Sequence, residues 1–185
     1  MLVKIILAGS GGQGVLTVGN VLGNAAMLEN FYVTYLPAYG AAMRGGTANC
    51  TISISDEEIA SPVASAPDFV VSMNQPSTNA FINRLEPGGQ MLYNSNLVGS
   101  IPYRGDINSF PIPANDIAVA IGSERSANMV MLGAFIKQTN VIKIDTVYKS
   151  IEYMMGERKK QLEISMKAVA EGYNGFPFGN GNGLV

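Results

Sequence analysis

The sequence contains no histidine, a single cysteine, and only 14% charged residues among its 185. Without imidazole, histidine-based general acid–base catalysis and histidine metal sites are excluded. Cys50 alone cannot close an intrachain disulfide. Nor can it by itself hold an iron–sulfur cluster, which takes about four thiolates. A formal net charge of -2 and a pI near 5.1 leave no basic footprint for nucleic acid. No apolar run reaches the roughly 18 residues of a membrane span. The opening "MLVKIILAG" lacks a small-residue cleavage site and runs directly into glycines, so it reads as a first strand and not as a signal peptide. A cytoplasmic location is the expectation. Soluble domains usually carry about 25% charged residues. The deficit predicts that part of the surface is covered by a partner, or by a second copy when the chain is isolated.

What is present is a chain 47% hydrophobic, long enough for one domain with a real core. Leu2 to Ala8 is an apolar run of the kind expected for a strand buried on both faces. Residues 9 to 14 form a turn, and from Val15 apolar positions recur at helical spacing to Glu29–Asn30. Phe31 to Leu36 regains strand character. That β-loop-α-β start predicts a right-handed crossover into a parallel sheet. Further strands are expected at Thr47 to Ser55, Phe69 to Asn74 and Gln90 to Ser95. A helix is expected over Ser77 to Glu86, with Ser77 as its cap. Residues 96 to 114 hold three prolines and read as irregular or edge structure. "SANMVMLGAFIKQ" is apolar all round and predicts a buried helix. Asp145 is expected to cap a helix ending at Gly156, and Glu157 to Tyr173 a final one. With no repeat and no dividing linker, residues 1–185 read as a single α/β domain of three layers around a mostly parallel sheet. Residues 175–185 are expected to form a mobile tail.

"GSGGQG" places Gly9, Gly11 and Gly14 in a G-x-G-x-x-G pattern between the first strand and the first helix. Such glycines allow a tight turn, a close backbone approach to a ligand and close helix packing. The helix N-terminus behind them offers free N–H groups and a positive dipole to an anion. Two tests go against common nucleotides. No acidic residue ends the second strand, "YVTYLPAYG", where a ribose hydroxyl would be held. No lysine follows the loop, which argues against a P-loop. A phosphate- or carboxylate-bearing ligand and a plain strand-to-helix turn both remain open on these residues alone. A second stretch, "YGAAMRGGTANC", sets Arg44 before Gly45 and Gly46. The arginine fork suits phosphate or carboxylate, and the glycines clear room for it.

Taken together, "GSGGQGVLTVG", "YGAAMRGGTANC", "SDEEIASP" and "NMVMLGAF" resemble the gamma subunits of 2-oxoacid:ferredoxin oxidoreductases, over Val3 to about Gly172. The resemblance implies a Rossmann-like fold of the pyruvate:ferredoxin oxidoreductase domain III type. It also implies a role in converting a 2-oxoacid, with 2-oxoglutarate favoured, to acyl-CoA and carbon dioxide while ferredoxin is reduced. Thiamine diphosphate and iron–sulfur clusters would then sit in partner alpha, beta and, where present, delta subunits, and coenzyme A near the loops of this chain. No catalytic and no metal-ligating residue would be supplied here, and the isolated chain would be inactive. Carried over by position, the implied ligand-binding residues are Gly9, Gly11, Gly12, Gln13, Gly14, Thr17, Tyr39, Arg44, Gly45 and Gly46. Gln13 would act as an orienting donor and Arg44 as counter-charge. The chain departs from its relatives at Ala41 and Ala42, where proline and glutamate are usual. A free-standing nucleotide-binding module of the same fold, and a purely structural subunit, are the alternative readings. Cys50 reads as buried filler, Asp56 to Glu58 as a solvated acidic face, and Arg158-Lys159-Lys160 as a solvated run opening a helix.

Overall fold

The computed structural model describes residues 1–40, 46–61 and 65–175. Six strands form one sheet: β1 (Leu2–Ser10), β2 (Tyr32–Tyr39), β3 (Thr47–Ser55), β4 (Phe69–Ser72), β5 (Gln90–Asn94) and β6 (Asn108–Ile112). Between and after them come α1 (Val15–Leu28), α2 (Gln75–Phe81), α3 (Ala114–Ala120), α4 (Ala127–Thr139), α5 (Ile144–Met155) and α6 (Lys159–Asn174).

The strand order is β2-β3-β1-β4-β5-β6. β1, β4, β5 and β6 pair in parallel, whereas β3 runs antiparallel to both β1 and β2. The sheet is therefore mixed, with five strands pointing one way and β3 against them. β1 and β2 point the same way, as the β-loop-α-β start predicts, and β3 lies between them. After α1 the chain lands one position out, and the connection after β2 folds β3 back into the gap as an antiparallel hairpin.

The layers are unequal. α1 packs on β1, β2 and β3, and α3 to α6 extend the same side through α4 and α5, while α2 lies against β1 and β4 from the other side. The apolar run of β1 serves both faces, as its length without alternation requires. Ile5 and Leu7 enter the larger core with Leu22, Ile52, Leu92 and Phe135. Ile6 and Ala8 enter a smaller one with Ile82, Leu85 and Met91. α4 is buried along its whole length from Ala127 to Ile136. Both sheet edges carry a proline, Pro37 in β2 and Pro111 in β6, which removes a ladder donor and blunts further strand pairing.

Several local expectations shift. α2 begins earlier than expected, and Asn74 rather than Ser77 is its cap: the Asn74 side chain accepts from the Ser77 N–H at 2.9 Å. Asp145 lies inside the first turn of α5, where it meets the positive helix end, and Lys143 is the capping residue. α3 has no counterpart in the sequence reading. The expected tail falls at its far end, 176–185, outside the described residues.

Cys50 is fully buried under α1, with its thiol 3.9 Å from the Val15 carbonyl oxygen. Burial pushes that thiol up from 9.0 to about 12, partly offset by a hydrogen bond with Tyr35. The sign follows from linkage. A folded-state pKa above the unfolded one gives stability that is complete below about pH 9 and lost as pH rises toward about 12. Alkaline denaturation followed by circular dichroism should show stability falling across that window. Replacement of Cys50 by alanine should flatten the fall, and native Cys50 should resist alkylation at pH 8.

Candidate functional site

β1 and β4 are neighbours, yet the helices that follow them leave on opposite sides of the sheet. That divergence makes a topological switch point, where open α/β sheets bind ligands beyond the carboxyl ends of their strands. The glycine-rich loop occupies this point.

Gln13 spans the divide. Its Oε1 accepts from the Ser10 N–H at 2.7 Å and from Asn74 Nδ2 at 2.8 Å, and its Nε2 donates to the Met73 carbonyl at 3.4 Å. Asn74 Nδ2 also donates to Ser10 Oγ at 2.7 Å. The amide of Gln13 thus straps the β1 loop to the β4 loop and is spent inside the protein. Asn74, which the sequence reading did not single out, is the other half of that strap.

The glycines do different jobs from those the motif suggests. Gly9 is still within β1, and a Cβ there would stand 2.8 Å from Gln13 Oε1, so its smallness admits the strap. Gly11 donates its N–H to the Gly46 carbonyl at 2.9 Å. Gly12 takes φ +92° with open space around it. Gly14 takes φ +71° as the cap of α1, facing Asn128, whose Nδ2 donates to the Gly14 carbonyl at 3.1 Å. Among the described residues, no acceptor meets the N–H groups of Gly12, Gly14, Val15, Leu16 or Thr17. No acidic side chain occupies the first turn of α1. Five donors are thus left at the positive end of α1.

The two loops meet. The Gly11–Gly46 bond joins them directly, and β1 and β3 pair up to Ser10 and Thr47. Tyr39 ends β2 opposite Ala48 and is 74% exposed. Arg44 and Gly45, with Ala41 and Ala42, lie outside the described residues.

Two cavities flank the α1 N-terminus. One of about 320 Å³ fills the switch crevice, bordered by Gly12, Gln13, Met73, Asn115, Arg125 and the acidic Glu124. The other, of about 700 Å³, is bordered by Gly14 and Thr17 and by Arg125, Arg158, Lys159 and Lys160. Arg125 and Asn128 line both. Arg158 to Lys160 are exposed at the start of α6, as a solvated run should be, and also border this cavity. Their mismatch with a helix start was the available sequence signal, since the first turn of a helix favours acids. Arg125 gave no comparable signal. Among the described residues no three His, Cys, Asp or Glu side chains gather as a metal site. No helix among them is long and apolar enough to cross a membrane.

A model of the pyruvate ferredoxin/flavodoxin oxidoreductase family matches residues 4–175. Ketoisovalerate oxidoreductase subunit VorA of Methanothermobacter thermautotrophicus is 33% identical over 171 residues, covering 92% of this chain and 35% of that protein. The chain thus spans about a third of the length of the ketoisovalerate relatives it matches. 2-Oxoglutarate synthase subunit KorC of Methanothermobacter marburgensis is 33% identical over 156 residues, covering 80% of this chain and 84% of its own. The keto/oxoacid ferredoxin oxidoreductase gamma subunit from Geobacter sulfurreducens superposes with a TM-score of 0.78 at 26% identity, covering 92% of this chain and 96% of that one. The 2-oxoglutarate:ferredoxin oxidoreductase from Magnetococcus marinus, solved with 2-oxoglutarate, coenzyme A and succinyl-CoA bound, shares the fold. Its TM-score is 0.85 at 24% identity, over 92% of this chain and 30% of that one.

Proposed function

Because the chain belongs to the pyruvate ferredoxin/flavodoxin oxidoreductase family, we propose that it is the gamma subunit of a 2-oxoacid:ferredoxin oxidoreductase. That complex oxidatively decarboxylates a 2-oxoacid, with 2-oxoglutarate favoured, to acyl-CoA and carbon dioxide, and passes the electrons to ferredoxin. The observation that carries this reading is the junction of both glycine loops at the sheet's switch point, bonded through Gly11 and Gly46. The subunit's task is to hold coenzyme A. Its pyrophosphate lies over the N–H groups of Gly12 and Gly14 to Thr17, with Arg125 and Arg44 as counter-charges. Gln13 and Asn74 act as positioning residues that keep the loop open. Tyr39, Gly45 and Gly46 shape the neighbouring loop.

The free N–H groups and Arg125 suit an anionic co-substrate. Cys50 is sealed under α1 with its thiol protonated, and thiolates, not thiols, attack. In this reading thiamine diphosphate and the clusters sit in alpha, beta and, where present, delta partners, which supply the carbanion and electron-transfer chemistry. Support for 2-oxoglutarate comes from full-length relatives named as 2-oxoglutarate synthase subunits at 33% identity, against 29% and 28% for full-length relatives named for pyruvate and for pyruvate/ketoisovalerate.

The test is reconstitution. Alone, the chain is expected to show no turnover. Combined with its thiamine-dependent and cysteine-rich partners, it is expected to restore acyl-CoA formation, fastest with 2-oxoglutarate. Full activity of the partners without this chain would sink the proposal.

A further inference from the structure

β3 has a strand on each side, yet a helix covers only one of its faces. Ala48, Cys50, Ile52 and Ile54 enter the larger core beneath α1. The alternate residues, Asn49 to Ser55, point to the other side of the sheet. There α2 packs on β1 and β4, and among the described residues no helix packs over β2 or β3. Asn49 and Thr51 are left half-buried. Strand register carries this face across to both neighbours. Leu2 and Tyr32 both stand opposite Ser55, and Ile6 and Leu36 both stand opposite Thr51. Ile6 is sealed in the smaller core, whereas Leu2, Tyr32 and Leu36 are 49%, 53% and 44% exposed. At about 4.8 Å between strands and about 3.4 Å per residue, these three side chains mark out roughly 10 by 13 Å. Lys4 is the one charged residue that β1, β2 and β3 place on this face.

One border of the face is acidic. A hollow of about 460 Å³ opens beside Leu2, Lys4 and Ser55, and Asp56 to Ser61 form its other wall. Asp56 holds the N-terminal ammonium. Glu57 and Glu58 are exposed and form no ion pair among the described residues.

We infer that this face docks the polypeptide equivalent to the remaining two thirds of the longer relatives' chains, through an apolar surface edged by lysine or arginine. The inference rests on the gamma-subunit reading above and adds the face by which that subunit assembles. This chain matches 35% of the ketoisovalerate relative and 30% of the Magnetococcus chain, so in both the same fold is tied to a larger body. The face that meets such a body is poor in charge and carries large apolar anchors near its centre. Tyr32 and Leu36 fit that description. Tyr103, 94% exposed, does not, because its neighbours Arg104 and Asp106 form an ion pair. A second copy of this chain would bring the same acids and only Lys4 to meet them.

The experiment titrates this chain into the complex that lacks it and measures Kd by sedimentation velocity. It compares the wild type with Tyr32→Thr/Leu36→Thr, Glu57→Gln/Glu58→Gln and Tyr103→Thr. Each interface anchor is worth about tenfold or more. The Tyr32/Leu36 double variant is therefore expected to bind about a hundredfold more weakly. It should melt within about 3 °C of the wild type, since threonine suits a strand and both positions are half-exposed. The Glu57/Glu58 variant is expected to associate more slowly and with less dependence on salt. Tyr103→Thr should bind as the wild type does. Amide exchange from Tyr32 to Leu36, a readout free of any substitution, is expected to slow on assembly. Undiminished affinity in the Tyr32/Leu36 variant, an equal loss in Tyr103→Thr, or unchanged exchange along β2 overturns the docking assignment, while wild-type assembly leaves the gamma-subunit reading standing. Dimerisation of the chain through this face, abolished in the Tyr32/Leu36 variant, gives the face to a second copy and overturns the assignment too. If the wild-type chain binds none of its partner subunits, the gamma-subunit reading itself fails.

Discussion

Replacing Gly172 with alanine is expected to stop the chain from accumulating as a folded protein. α4 and α6 touch backbone to backbone at this point. A Cβ on Gly172 would lie 2.0 Å from the Val130 carbonyl oxygen, and one on Gly133 would lie 2.1 Å from the Val169 carbonyl oxygen. Because the obstructing atoms are main chain, no rotamer change makes room; the helices must separate. Overpacking a core costs about 1–3 kcal/mol when side chains can give, and more when the backbone must shift. With a total stability of about 5–15 kcal/mol for a domain, a loss of about 4 kcal/mol or more removes from about a quarter to most of the margin. Urea denaturation and soluble yield measure it. Gly99→Ala is the control: a Cβ there meets nothing within 4 Å, and the expected change is under about 0.5 kcal/mol.

The second large effect separates stability from binding. Gly12 and Gly14 both have positive φ, +92° and +71°, so alanine at either costs about 1–2 kcal/mol in backbone strain. Only Gly14 adds a collision, 2.4 Å from Asn128 Nδ2, the atom that bonds the Gly14 carbonyl. Gly14→Ala is therefore expected to lose about 3 kcal/mol in all, counting the broken bond and displaced α4 contact. Gly12→Ala is expected to lose only the strain, because its Cβ points into open space. That space is where the proposed pyrophosphate lies, so Gly12→Ala should raise the KM for coenzyme A by about tenfold or more, at roughly 1.4 kcal/mol per tenfold. Thermal melts and steady-state kinetics on the pair, side by side, check both halves. Equal melting losses, or an unchanged KM in Gly12→Ala, would contradict the geometry.

Much of this architecture was legible in the residues. The unbroken apolar run of β1 announced a strand buried on both faces, and the all-round apolar "ANMVMLGAFI" announced the interior helix α4. Glycines before a helical period marked the turn between β1 and α1. The insertion of β3 between β1 and β2 was not legible, because the alternation of "TANCTISIS" defines a strand without naming its neighbour. Caps shifted for a related reason. Asn74 and Ser77 are both good capping residues, and only the path of β4 into α2 decides between them.

The site was half legible. Motif spacing located the glycine loop, and hairpin geometry brought Gly46 to Gly11. The inward use of Gln13 depends on Asn74 and Met73, about 60 residues away, which no local pattern joins to it. The cationic wall was hidden by the same distance. Arg158 to Lys160 become neighbours of Gly14 only once α6 packs on α4 through the two glycines at 133 and 172.

Amide hydrogen exchange of the assembled complex, with and without coenzyme A, goes most directly to whether these loops grip the co-substrate. Slowed exchange at Gly12 and at Gly14 to Thr17 on addition of coenzyme A is the expected result, since those N–H groups have no acceptor among the described residues. Unchanged exchange there, with the complex active and coenzyme A saturating, would contradict it.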